Sequence, residues 1–170
     1  KVNTNSALYQ LTDFYTIFYN TFVTKGHTNQ HYWSQHVGTP EVNTWYGLAY
    51  ERICKAHIPQ IKRALGIASV ATEYYSWRSR KSKDAAQIDI IIDRADSMIN
   101  LCEVKYSEAL YTLDKDEYLR IMHRRDTFRA ETETHKSIIP TMITTFGMTQ
   151  GAYSDQMTVK LDMNELFDND

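Results

Sequence analysis

The chain has 170 residues, 42% of them hydrophobic and 24% charged, with a formal net charge of −2. This is long enough for one globular domain with a real core and too short for two comfortable ones. The composition excludes a disordered chain, and the charge excludes bulk attraction to nucleic acid, so any such contact has to use local basic patches.

The chain opens on Lys1 rather than Met, and patterned apolar sequence begins almost at once. We expect it to be a piece of something longer. From Leu8 to Val23 the residues Leu8, Leu11, Phe14, Tyr15, Phe18, Tyr19 and Phe22 recur at spacings of three and four, which predicts a helix with Thr12 as a candidate cap. Its stripe is very aromatic and suits a core face or a contact with a neighbouring domain or second copy, which leaves oligomerisation open. Residues 24–42 lose that period and gather Gly26, Asn29, Gly38 and Pro40, as a loop does. His27, His31 and His36 lie there without a fourth ligand or a cysteine, so no zinc site is expected.

A second helix is predicted from about Glu41 through Trp45, Leu48, Ala49 and Ile53, ended or kinked by Pro59. A further turn runs to Gly66 as C-cap. Three strands should follow: Ile67 to Trp77, Ala86 to Asp93, and Ile99 to Tyr106, with Arg94 to Ser97 as a hairpin connection. A long amphipathic helix is predicted from about Asp114 to Thr132, with Tyr118, Ile121, Met122 and Phe128 inward. Strands over Ser137 to Phe146 and Met157 to Leu161 and a short helix through Asn164 to Phe167 close the chain. Hairpin-linked strands followed by a helical crossover predict an α/β fold, a mixed central sheet flanked by helices. Residues 1–40 form a helical N-terminal extension in this reading and 41–170 the main domain.

Cys54 and Cys102 sit in apolar patterns at no ligand spacing, which predicts buried free thiols and a reducing, cytoplasmic setting. No apolar run approaches the ~20 residues of a membrane span, and no membrane partner is expected.

The second and third strands carry charge where buried strands should carry none. Alternation places Ile88, Ile90 and Ile92 on one side and Gln87 and Asp89 on the other, while Leu101, Glu103 and Lys105 fall together. Asp89, Glu103 and Lys105 are thereby expected on one surface, with strands ~4.8 Å apart. Two carboxylates can hold Mg2+ or Mn2+ when a phosphate completes the shell, and an adjacent ammonium can neutralise developing charge. Flanking carboxylates raise the lysine pKa, so Lys105 is not expected to act as the base. Gln87 is placed to hold a water or phosphate oxygen. Arg78, Arg80, Lys81 and Lys83 on one turn are candidate DNA-phosphate contacts, and Arg124, Arg125 and Arg129 form a second basic group.

Glu51 on a helix, Gln87-Ile88-Asp89 on a strand and Glu103-Val104-Lys105 on the next resemble the PD-(D/E)XK, or restriction-endonuclease-like, nuclease superfamily. Ile88 stands where the superfamily name has proline. Tyr9-Gln10-Leu11-Thr12-Asp13-Phe14, Trp45-Tyr46-Gly47 with Tyr50-Glu51, and Asn100 to Ser107 are similar to the C-terminal region of prokaryotic AAA+ ATPases. The resemblance implies a restriction-endonuclease-like core and magnesium-dependent DNA cleavage. Asp89, Glu103 and Glu51 would be the metal ligands, Lys105 the electrostatic catalyst and Gln87 an auxiliary. It also implies an ATPase domain in the same longer chain, since no phosphate-binding P-loop sequence occurs here. Two rival readings compete with a nuclease: an inactive module of this fold that docks DNA or a partner protein and regulates the ATPase, and a purely architectural domain.

Overall fold

A computed structural model describes residues 11–24, 30–79 and 86–167. The chain forms two compact units, Lys1–Arg52 and Ile53–Asp170.

In the first unit, helix α1 (Phe14–Phe18) runs into a π-helical turn over Tyr19–Val23. Asp13, not Thr12, is the cap: its carboxylate accepts from the Thr16 amide at 2.7 Å. The stretch expected as loop contains α2 (Tyr32–His36), too short for its period to be visible in sequence. Helix α3 (Pro40–Ala56) follows, and its last turn, from Ile53, belongs to the second unit. Phe18, Phe22, Trp33 and Trp45 meet with ring centroids 5.3–6.1 Å apart, mostly edge to face, and Phe22 is buried. The aromatic stripe thus builds a small core. His36 Nδ1 lies 2.7 Å from the Tyr32 carbonyl with the two rings stacked, and His27 lies outside the described residues.

The second unit is built on a mixed five-stranded sheet in the order β1-β2-β3-β4-β5. Helix α3 does stop just before Pro59, at Ala56, and Pro59 lies in the first turn of the next one, α4 (Ile58–Ala64), where its missing N–H costs nothing. Gly66, at φ +69°, ends that helix. Strand β1 (Thr72–Arg78) starts later than expected, because Ile67 to Val70 closes a turn through the Val70 amide and Ile67 carbonyl. β2 (Gln87–Arg94) and β3 (Met98–Lys105) form the hairpin, with Ser97 at φ +65° in its connection. Helix α5 (Lys115–Thr132) then crosses over to β4 (Ser137–Thr144), which pairs parallel with β3 from Met98↔Ser137 to Lys105↔Thr144. β5 (Val159–Leu161) pairs parallel with β4 from Thr141 onward, so Pro140 sits where β4 is still an edge on that side. Helix α6 (Asn164–Phe167) follows.

The core lies between the sheet and α5. Ile88, Ile91, Ile99, Leu101 and Phe128 form one buried cluster; Leu113, Ile121, Met142 and Met157 form another. Burial of Phe128 alone stabilises the fold by about 2–3 kcal/mol. Buried Asn100 donates to Thr141 Oγ1 at 3.0 Å and accepts from Arg94, so it is not left unsatisfied. Cys54 and Cys102 are buried free thiols, and burial pushes the Cys102 thiol far above its ordinary pKa. Among the described residues no helix is long and apolar enough to cross a membrane.

Helix α5 starts at Asp114, whose carboxylate accepts from the Glu117 amide at 2.8 Å. Asp114→Ala should cost about 1 kcal/mol. Chemical denaturation will show it as a lower midpoint with an unchanged slope.

Candidate functional site

Strand β2 does not alternate cleanly. Tyr75 pairs with Ile91 and Trp77 with Ile88, so Asp89 and Ile90 together face Ser76 alone. This is a β-bulge, a device that re-aims side chains and increases twist. The Ser76 hydroxyl fastens it by donating to the Asp89 carbonyl at 2.7 Å. As a result Ile88 joins Ile91 and Phe128 in the core instead of sharing a side with Ile90 and Ile92. On the other side of β2 the ladder with β3 runs to Ile90↔Cys102, and beyond it the Val104 N–H donates to the Asp89 carboxylate at a long 3.4 Å. The bulge and this side-chain bond bring half-buried Asp89 beside the end of β3.

Glu103 and Lys105 share a face of β3, and the helical stripe Glu117, Ile121, Arg124, Phe128 comes down onto that face from α5. Glu103 is 8% exposed and both of its oxygens are taken. Oε1 pairs with Lys105 Nζ at 2.9 Å and Oε2 with Arg124 Nη1 at 2.6 Å. The same Lys105 ammonium lies 2.9 Å from Glu117 Oε1, and Glu117 Oε2 accepts from Arg120 Nε at 2.9 Å. The result is a continuous row, Arg124, Glu103, Lys105, Glu117, Arg120, in alternating charge. Three cations and two carboxylates leave one positive charge, which the Asp89 carboxylate, acting on Arg124, offsets.

Burial opposes the charge on Lys105, but Glu103 and Glu117 outweigh it and hold the ammonium above the ordinary lysine range. Burial likewise works against the Glu117 carboxylate, and the bonds from Lys105 and Arg120 reverse it, leaving its pKa below the usual range. Lys105 is therefore a fixed cation. Beside Glu103 the space among Ile88, Leu101, Ile121 and Arg124 is about 10 Å³, room for one water at most.

Gln87 is exposed at the start of β2, opposite exposed Arg78 on β1. Arg80, Lys81 and Lys83 lie outside the described residues. Glu51 is half-buried on α3 in the first unit. Arg124 serves as the partner of Glu103, whereas Arg129 is exposed. Sequence reasoning missed Glu117. Its signal was a charge at the inner spacing of α5, four residues before Ile121 and eleven before Phe128.

A divalent ion at Asp89 and Glu103 would have to displace Lys105 and Arg124 from an acid that is almost fully buried. Among the described residues no group of three His, Cys, Asp or Glu side chains is disposed to hold a metal. The donors as arranged do not fit one.

Mixed sheet, helical crossover and internally neutralised row together define an α/β domain with a closed ionic site. The DUF234 family model, "Archaea bacterial proteins of unknown function", matches residues 14–121, and the chain belongs to that family. No curated protein matches it. The fold is similar to the crystal structure of the protein of unknown function AF1548, at TM-score 0.45 and 17% identity. That likeness covers 67% of this chain and 64% of the other, so the chain spans less than two thirds of the solved protein.

Proposed function

We propose that this is a restriction-endonuclease-like module that has exchanged hydrolysis for docking, binding DNA or a partner and regulating an AAA+ ATPase in the same longer chain. The observation that carries it is the occupation of both Glu103 oxygens by Lys105 and Arg124. An acid so paired offers no free donor to a divalent ion. The ATPase connection is supported by the likeness of Tyr9 to Phe14, Trp45 to Glu51 and Asn100 to Ser107 to the C-terminal regions of such proteins. Two buried reduced thiols suit a cytoplasmic setting.

A second reading, an active Mg2+- or Mn2+-dependent DNA endonuclease, is supported by one observation: the Asp89 carboxylate accepts from the Val104 N–H, on the strand residue between the ion-paired Glu103 and Lys105. Calorimetry with Mn2+ and a plasmid-nicking assay separate the two. The docking module should give no binding heat and no nicking at millimolar ion. Heat that disappears in Asp89→Ala and Glu103→Ala, with nicking lost in a folded Lys105→Ala, would replace it with the nuclease.

A further inference from the structure

Away from the ion-paired row, the second unit carries a groove of about 610 Å³. Its basic side comes from two helices: Lys55 in the last turn of α3, and Lys62 and Arg63 in the last turn of α4. Cations at a helix C-terminus are stabilised by the dipole there, which accounts for Lys62 and Arg63 on α4. It does not account for their convergence on an aromatic ring from a different element. Thr72 and Tyr74, on one face of edge strand β1, form the opposite side, and Tyr74 is 58% exposed. The acidic neighbour Glu73 points to the other face by strand alternation. Lys62 is held in place by donating to the Val70 carbonyl at 2.9 Å, which leaves two of its three donors for another acceptor. Among the described residues neither Lys62 nor Arg63 has a carboxylate partner. In a chain of net charge −2, such a concentration of positive charge is local.

We propose that this groove binds a nucleobase carrying phosphate, with Lys55, Lys62 and Arg63 on the phosphate oxygens and the base stacked on Tyr74. A ring face takes a base only when that base is free of a duplex stack, so the polymer form of the ligand is single-stranded. The volume matches one nucleotide with its flanking phosphate, within the ~300–1,000 Å³ of small-molecule sites. The site rests on the docking reading above but not on the closed state of Glu103.

Fluorescence anisotropy with a labelled oligothymidylate of about ten nucleotides tests it, in EDTA so that no metal contributes. Wild type should bind with a log–log salt slope of about −2, the release expected from three phosphate contacts on a single strand. Lys55→Ala/Arg63→Ala should flatten that slope to about −0.7. Tyr74→Ala should weaken binding about tenfold with the slope kept. Thymidine monophosphate that competes at equal site occupancy identifies a free nucleotide as the ligand; failure to compete where the oligomer does identifies the strand. Absence of binding by wild type overturns the proposal. So does binding that Tyr74→Ala leaves intact while heparin competes equally, because the surface then reads charge alone. So does binding lost in Arg129→Ala but not in Lys55→Ala/Arg63→Ala, which moves the contact to α5. Unchanged circular dichroism and melting certify each variant as folded. The metal titration is independent, so failure here leaves the account of Glu103 standing.

Discussion

Replacing Lys105 with methionine should destabilise the protein by about 2 kcal/mol, seen as a melting temperature about 4–8 °C lower. The methionine fills the same volume, so the loss is electrostatic. Two nearly buried carboxylates, Glu103 and Glu117, are left facing one another without the ammonium that bridges them at 2.9 Å on each side. The figure stays below the cost of a fully uncompensated charge because Arg124 and Arg120 remain. The pH dependence has a definite sign. Glu117 has a folded pKa below its ordinary value, so its contribution is present above the unfolded carboxyl range, about 4.3, and is lost as pH falls through the lower folded value. Lys105 has a raised folded pKa, so its contribution is complete below about 10.4 and is lost as pH rises through the higher folded value. The gap between wild type and variant should be constant from about pH 5 to pH 10. It should narrow in acid, where protonation of the carboxylates removes their repulsion. Thermal melts from neutral into acid pH measure it, and a gap that does not narrow at all in acid would show that lost packing, not charge, is responsible.

Removing Arg124 should create a capacity for metal binding. Arg124→Ala frees Glu103 Oε2, restores net negative charge between Asp89 and Glu103, and opens the space that the guanidinium fills. The variant should acquire a Mn2+ binding heat that wild type lacks, and Glu103→Gln in the same background should abolish it. The cost is a nearly buried acid left with one partner, about 1–3 kcal/mol. If the variant folds and still ignores Mn2+, the arginine is not what keeps the ion out. If wild type and variant bind alike, the ion pairs are too weak to compete with a metal.

Much of this architecture was readable in the residues. The hairpin of β2 and β3 shows as isoleucine-rich runs around a polar connection. Helix α5 shows as an apolar period opened by Asp114, the residue that caps it. The mixed sheet follows from hairpin plus crossover. The bulge was not readable, because Ile88, Ile90, Ile91 and Ile92 fill both faces of β2 and a slip of phase leaves the pattern of apolar residues unchanged. The ionic row was only half readable. Glu103 and Lys105 stand two apart on one strand, but their partners arrive from α5, and pairing across a crossover is a tertiary fact. Glu117 and Arg124 did carry a mark, being charges at positions 117 and 124 of a stripe whose other members, Ile121 and Phe128, are core. Arg78, Gln87 and Glu51 were candidates by residue type and by resemblance: Arg78 and Gln87 lie exposed across from one another, and Glu51 is half-buried on α3.

The β3–α5–β4 crossover also divides the ionic row between two distant stretches of chain. β1, β2 and β3 are joined through short sequence separations, whereas β3 and β4 are joined across the whole of α5, so closing their pairing costs more chain entropy. Since Glu117 and Arg124 travel with that helix, the acids and lysine of the hairpin remain wet until the crossover docks. A chain caught midway would present Asp89 and Glu103 open to solvent, and whatever captures carboxylates would find them then rather than in the finished protein.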